Sequence, residues 1–138
     1  MSRMRSSMSK KNKWYIDPER YLELKHFCLQ YNKWNDAVHD YNLYRMSRTC
    51  MSGHVDKRIA ESDPTADFVI NYQENNFRRI LIEGCALEAN RSIHDWIVMG
   101  VANGLGYEQL KARGLACGKD YYYEAYHKFF YILDKRRK

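Results

Sequence analysis

The stretch that decides the fold is residues 92–138, which read SIHDWIVMGVANGLGYEQLKARGLACGKDYYYEAYHKFFYILDKRRK. Its first part, from Ile93 to Val101, predicts a helix because apolar side chains recur there at helical spacing. Glycines end that helix, and a short second helix follows and ends near Gly114. A long aromatic and basic helix then begins at Lys119. This order is typical of a helix-turn-helix, in which a short helix supports one that enters the DNA major groove.

The final helix is predicted to have an apolar face and a polar face. The inward side chains should be Tyr122, Ala125 or Tyr126, Phe129 and Leu133. The outward side chains should be Lys119, Asp120, Tyr123, Glu124, His127, Lys128 and Tyr131. Consecutive positions on a helix lie about 100° apart. The three tyrosines at 121–123 therefore cannot all be buried, and one or two should face solvent or a partner.

The rest of the chain also predicts helices, so the fold class is all-α, with a helical N-terminal half and a C-terminal helix-turn-helix. Prolines and glycines are few, and runs of β-branched residues are absent. Asp17-Pro18 and Asp63-Pro64 are helix starts, each an acidic N-cap followed by a proline at the first helical position. The first helix should run to about Tyr31, with a break at Asn32.

The chain is predicted to have three regions. Residues 1–13 are expected to form a disordered basic arm. Residues 14–61 are expected to be a helical region with a mobile linker, which can contain helical turns, from Arg45 to Glu61. Residues 62–138 should hold a long helix, about Thr65 to Ala89, followed by the helix-turn-helix.

Positive charge is concentrated at the two ends of the chain. The net charge is +6, of which residues 1–13 carry +5 and the last four residues +4, so the remainder is −3. Basic ends favour a polyanion such as DNA as the partner. A solvated tail that only aids solubility is the alternative interpretation.

The candidate DNA-binding residues lie in the last two helices and the tail. Lys119, Tyr123 and Glu124 are predicted to enter the groove, because the N-terminal residues of such a helix meet base edges. His127 and Lys128 are predicted to contact the backbone. Lys111 and Arg113 are predicted to hold phosphates. The basic tail residues Lys135, Arg136 and Arg137 are also predicted to bind DNA.

No pattern indicates an enzyme. We find no G-x-S-x-G, P-loop or H-E-x-x-H motif, and the four cysteines are too far apart for a zinc site. We therefore expect no catalytic residues, metal or cofactor. No apolar run reaches the roughly 18 residues that span a bilayer. No signal peptide is apparent, which predicts a cytoplasmic protein with reduced thiols and no membrane partner.

The motifs at residues 63–65 and 97–137 resemble those of the ArpU/RinA-type phage transcriptional regulators, and the resemblance covers most of the chain from Trp14 onward. The matching residues are Asp63, Pro64, Thr65, Tyr107, Leu110, Tyr121, Tyr122, Lys128, Phe129, Phe130 and Leu133, and the opening residues 14–21 also look similar. The resemblance implies a helix-turn-helix like region four of sigma factors. It further implies a regulator of late or packaging genes in a bacterial host, acting on a promoter or on RNA polymerase. Ala125-Tyr126-His127 departs from the family, which is usually basic there.

Two other functions stay open at this point. The chain could bind and inhibit a host protein such as a nuclease, a CRISPR effector or RNA polymerase. Residues 92–138 contain eight Lys or Arg residues and five Asp or Glu residues. This positive surplus favours DNA as the partner over a host protein. The other open function is that of a structural helical protein that forms a homodimer through residues 17–44. Dimerisation is compatible with regulation, because two recognition helices then meet half-sites about 34 Å apart.

Overall fold

The computed structural model describes residues 12–50 and 64–137, with side chains over 12–47 and 69–137. These residues form six helices and no strand, which confirms the all-α prediction. The helices are α1 (Pro18–Cys28), α2 (Tyr31–Cys50), α3 (Pro64–Ala89), α4 (His94–Asn103), α5 (Tyr107–Ala112) and α6 (Lys119–Arg136). None of them has an apolar stretch long enough to cross a membrane. Most of the predicted basic arm, residues 1–11, lies outside the described residues.

The chain divides into two compact units. Residues up to 32 and residues from 80 onward form the first unit, and residues 33–79 form the second. Helices α1, α4, α5 and α6 belong to the first unit, which carries the predicted DNA-binding residues.

Helix α6 is the centre of the first unit, and α1, α4 and α5 all pack against it. Its buried side chains are Tyr122, Ala125, Tyr126, His127, Phe129, Phe130 and Leu133, so the predicted inward face is confirmed. Each large apolar side chain of this kind stabilises the fold by roughly 1.5–3 kcal/mol when it leaves water. The unit therefore depends on the aromatic helix that the sequence places last.

Helix α1 begins as predicted. The Asp17 carboxylate accepts a hydrogen bond of 3.2 Å from the Glu19 amide, and Pro18 occupies the first turn. Its apolar face is buried against α6, where the Tyr21 ring meets Phe130 edge-on at 5.1 Å. The Tyr21 and Tyr126 hydroxyls hydrogen-bond each other at 2.7 Å. The apolar face of α1 therefore packs against α6 of the same chain. This face is part of the dimer interface predicted at residues 17–44.

The predicted break at Asn32 is wrong, and residues 45–50, the start of the predicted linker, are helical. Helix α2 is continuous there, and the chain turns two residues earlier, at Leu29-Gln30. The Leu29 amide still donates to the Lys25 carbonyl at 3.0 Å, so this turn keeps helical backbone angles. No glycine or proline marks such a turn, which is why the sequence misplaced it. The remainder of the predicted linker, residues 51–61, lies outside the described residues.

The second unit contains parts of α2 and α3. Trp34 and Val38 are buried on α2. The rings of Tyr41 and Tyr72 stack with their centroids 4.1 Å apart, and the Arg78 guanidinium lies over the Trp34 ring at 5.6 Å. Aromatic stacking of this kind holds the two helices together within the unit.

Candidate nucleic-acid interface

The short helix α5 is fixed to the start of α6 by Tyr107. Its amide donates to the Tyr123 hydroxyl at 3.3 Å, and its own hydroxyl donates to the Cys117 carbonyl at 2.7 Å. Leu110 and Leu115 are buried beneath the connection between the helices. These contacts set the direction in which α6 starts. The elements match the predicted order, while their action as a DNA-binding helix-turn-helix stays a prediction.

Glycines shape both turns that flank α5. Gly104 ends α4 with a φ of 66°, and Gly114 follows α5 with a φ of 118°. Only glycine adopts these backbone angles without strain. Between them the Gln109 side-chain oxygen accepts a hydrogen bond of 3.1 Å from the Gly106 amide, which secures the start of α5.

Three of the predicted DNA-binding cations, Lys111, Arg113 and Lys119, are exposed around the connection from α5 to α6. None of them forms an ion pair with another residue in the described part of the chain. Glu108 and Asp120 lie beside them in sequence and are also exposed. The cations therefore keep their charge available to an outside anion.

The N-terminus of α6 is open to solvent. Gly118 is its N-cap and supplies no side-chain cap. A Cβ placed on Gly118 would meet no atom within 4 Å. A helix N-terminus carries partial positive charge and free amides, which suit a phosphate. Lys119 adds a full charge at the same end.

Tyr123 and Glu124, the other residues predicted for the groove, differ in their surroundings. Tyr123 is half-buried and supports α5 through its hydroxyl. Glu124 is exposed, and its carboxylate lies 3.3 Å from the Lys13 ammonium. Only Glu124 of these two therefore has a side chain that faces outward.

The prediction that His127 faces outward is wrong. The side chain is 6% exposed, and its ring lies beside those of Tyr123 and Tyr126, at centroid distances of 6.2 and 5.6 Å. It also lines a cavity of about 300 Å³ that residues 12–14 border from the other side. The periodicity of α6 predicts which of its side chains share a face. It cannot predict that residues 12–14, far away in the sequence, lie next to that face.

The sequence did not predict the contact between Trp14 and helix α6. The Trp14 ring meets Tyr131 edge-on at 5.2 Å, and the Lys128 ammonium lies 5.6 Å from the Trp14 ring centre. Ile16 is buried. Lys128 and Tyr131 are consequently half-buried. The available signal was a pair of aromatic residues and an isoleucine at 14–16, between the basic arm and the first helix start.

The basic residues at 135–137 contact their own chain and do not form the predicted free arm. Lys135 lies over the Tyr131 ring at 4.6 Å, and Arg137 lies over the Phe27 ring at 3.8 Å. Arg136 forms an ion pair with Glu88. Lys135 and Arg136 belong to α6 because the amphipathic helix continues through them. Lys138 lies outside the described residues.

No family model, curated protein or solved structure matches this chain. Among the described residues, no three His, Cys, Asp or Glu side chains are grouped so as to hold a metal ion.

Proposed function

We propose that this chain is a DNA-binding transcriptional regulator of phage or prophage origin, with the start of α6 entering the major groove. The observation that supports this best is the set of three exposed cations, Lys111, Arg113 and Lys119, around one inter-helix connection. The resemblance to the ArpU/RinA-type regulators supports the same class. RNA polymerase is a further proposed partner.

The cations and the N-terminus of α6 would contact different parts of the DNA. Lys111 and Arg113 would hold phosphates of one strand, and contacts of this kind set the position of a protein on the duplex. Lys119 and the first amides of α6 would meet the backbone or base edges where the helix enters the groove. Glu124 would accept a hydrogen bond from a cytosine amino group after its ion pair with Lys13 breaks.

The remaining predicted residues take supporting roles in this proposal. Tyr123 positions α5 through the Tyr107 amide. His127 is buried and takes no part in phosphate binding in this proposal. Lys128, Lys135, Arg136 and Arg137 add positive potential near the duplex, although each has a partner in its own chain.

Fluorescence-anisotropy titration at several salt concentrations tests this proposal, with random duplex DNA and with DNA from the neighbourhood of the gene. We expect the triple variant Lys111→Ala, Arg113→Ala, Lys119→Ala to lower the slope of log K against log salt by about 3, one for each lost phosphate contact. Lys33→Ala, which removes an exposed cation from the second unit, is the control and should leave the slope unchanged.

A sequence-specific regulator should also prefer the neighbouring DNA to the random duplex. No binding at low salt would overturn the proposal. It would favour the alternative, a small phage protein that binds and inhibits a host protein.

A further inference from the structure

A cavity of about 230 Å³ lies beside Trp14, between the end of α3 and the first half of α6. We call it the Trp14 cavity. All of its lining residues belong to the first unit, so the packing of that unit alone sets its shape. The lining residues are Lys13, Trp14, Ala89, Asn90, Tyr121, Glu124, Ala125 and Lys128.

The charged side chains that line the Trp14 cavity, two lysines and one glutamate, leave one positive charge uncompensated. The Lys13 ammonium lies 3.3 Å from the Glu124 carboxylate, so these two charges compensate each other. Lys128 is half-buried and forms no ion pair within the described part of the chain. The carbonyls at the end of α3 contribute roughly half a negative charge, which the full charge of Lys128 outweighs. The cavity is therefore suited to an anion.

Asn90 supplies an oriented donor to the same cavity. Its side-chain oxygen accepts hydrogen bonds from the Ser92 and Ile93 amides, at 2.9 and 3.3 Å. These bonds fix which end of the side-chain amide faces the backbone. Its nitrogen has two N–H donors and no acceptor, and it donates to no residue in the described part of the chain. A group that fits beside Asn90 must therefore carry acceptor atoms.

Trp14 contributes a donor that lacks an acceptor. Its indole Nε1 atom is buried and has no hydrogen-bond partner among the described residues. Such groups are rare in folded proteins, and a bound water or ion commonly explains them. The Lys13 and Lys128 ammoniums lie 5.0 and 5.6 Å from the centre of the ring, and both side chains are flexible. An anion that pairs with them would change the surroundings of the indole N–H, which makes this group a reporter of binding.

We propose that the Trp14 cavity binds a phosphate group that carries a single negative charge. The donors stand on three separate segments, since Trp14 precedes α1, Asn90 follows α3 and Lys128 lies on α6. This arrangement suits the tetrahedral oxygens of a phosphate better than the flat pair of a carboxylate, and lysine is a common phosphate ligand. One water needs about 10–15 Å³, so a group of this size has room in the cavity.

The phosphate has two possible sources with the same chemistry. It belongs either to the backbone of DNA or to a small phosphate compound in solution. Glu124 lines the Trp14 cavity and is also one of the residues proposed to enter the DNA groove, so a backbone phosphate bound here would flank that contact. The site itself does not depend on the proposed function, and only the first source requires it.

An NMR titration of the isotope-labelled full chain tests the proposal, with dimethyl phosphate as a phosphate diester of one negative charge. The indole N–H signal of Trp14 should shift along a saturating curve. The indole signals of Trp34 and Trp96, which do not line the cavity, should stay in place. Sodium chloride at the same ionic strength should not shift the Trp14 signal. Absence of a saturating shift with the diester would overturn the proposal.

Two substitutions in the cavity should weaken the binding of dimethyl phosphate by about 10-fold or more. Lys128→Gln removes the uncompensated charge. Asn90→Asp replaces the donor with a negative charge but keeps an oxygen for the Ser92 and Ile93 amides. Lys135→Gln is the matched control, because Lys135 also lies over a ring on α6 but does not line the cavity. Circular dichroism should show an unchanged fold for all three variants. Equal affinities of the wild type and Lys128→Gln would overturn the site.

A titration with duplex DNA distinguishes the two sources. If DNA supplies the phosphate, the duplex should shift the Trp14 signal, and Lys128→Gln should lower the slope of log K against log salt by about 1. If DNA binds without shifting that signal while the diester does shift it, the cavity serves a small phosphate compound and the proposed function stands. A chain that binds the diester and no DNA would overturn the proposed function and support the site.

Discussion

The Tyr122 hydroxyl oxygen lies 2.5 Å from the point at which a Cβ on Gly100 would stand. Leu110 approaches the same point at 3.2 Å. Helices α4 and α6 meet here, and no real Cβ tolerates such a distance. Gly100 is therefore the residue that lets these two helices pack at their observed separation.

Gly100→Ala should destabilise the protein by about 1–3 kcal/mol, because an extra methyl group in a filled core forces its neighbours to move. Urea unfolding followed by circular dichroism measures this. An unchanged midpoint would show that α4 and α6 are not held at this separation.

Tyr122→Phe tests the same contact from the other helix. The Tyr122 hydroxyl is buried and has no hydrogen-bond partner in the described part of the chain. Its removal should stabilise the protein by about 1 kcal/mol, since a buried unsatisfied hydroxyl is costly. The double variant with Gly100→Ala should recover part of the lost stability, and strict additivity would contradict the contact.

The ion pair between Arg20 and Asp134 joins α1 to the end of α6. The guanidinium Nε lies 2.7 Å from the carboxylate, and both side chains are less than a third exposed. A double-mutant cycle of Arg20→Ala and Asp134→Ala should give a coupling free energy of about 1 kcal/mol, the upper range for partly exposed pairs. Glu23→Ala removes the more exposed partner of Arg20 and should cost less. Equal losses for the two acids would contradict this assignment.

Alkaline pH should destabilise the fold. Burial raises the pKa of Cys85 to about 11 and raises the pKa of Tyr126 well above its ordinary value. In the unfolded chain the thiol ionises near pH 9 and the phenol near pH 10. Above pH 9 the folded state then binds more protons than the unfolded state. The free energy of unfolding is therefore unaffected by these groups below pH 9 and falls as the pH rises through 9–11.

Each such group contributes up to about 1.4 kcal/mol per pH unit to that fall. Urea unfolding at pH 8, 9 and 10 measures the slope. Cys85→Ala should reduce the slope above pH 9, and Cys117→Ser, at a less buried thiol, should change it less. A stability that stays constant to pH 10 would contradict the burial of these groups.

The predicted DNA cations should differ in their contribution to binding. Lys119→Ala should lower the salt slope by about 1, because Lys119 is exposed and makes no ion pair with a described residue. Arg137→Ala should lower it by less, because its guanidinium lies on the Phe27 ring. Anisotropy titrations of the two single variants make the comparison. A larger effect of Arg137 would show that the tail leaves its own chain on binding DNA.

The elements that the sequence predicted correctly are those with local signals. The start of α1 follows from Asp17-Pro18, and the inward face of α6 follows from its apolar period, which includes Tyr122 and Leu133. The glycine at 104 ends α4 as predicted because a positive φ has few alternatives to glycine.

The features that the sequence did not reveal depend on distant parts of the chain. His127 is buried and lines a cavity together with residues 12–14, and the periodicity of α6 cannot predict a neighbour from so far away in the chain. Arg137 meets Phe27 through the tertiary fold alone. In the candidate interface, Lys111, Arg113 and Lys119 are exposed, and their role in DNA binding stays a prediction.

The packing of α1 against α6 has a consequence for biosynthesis. Tyr21 and its hydrogen-bond partner Tyr126 are 105 residues apart. At ribosomal rates of about 5–20 residues per second, α1 waits roughly 5–20 s before the helix that covers it has been translated. During that interval its Phe27, Leu24 and Tyr21 side chains are exposed on the nascent chain and available to chaperones. The core of the first unit is therefore completed only after α6 has left the ribosomal exit tunnel.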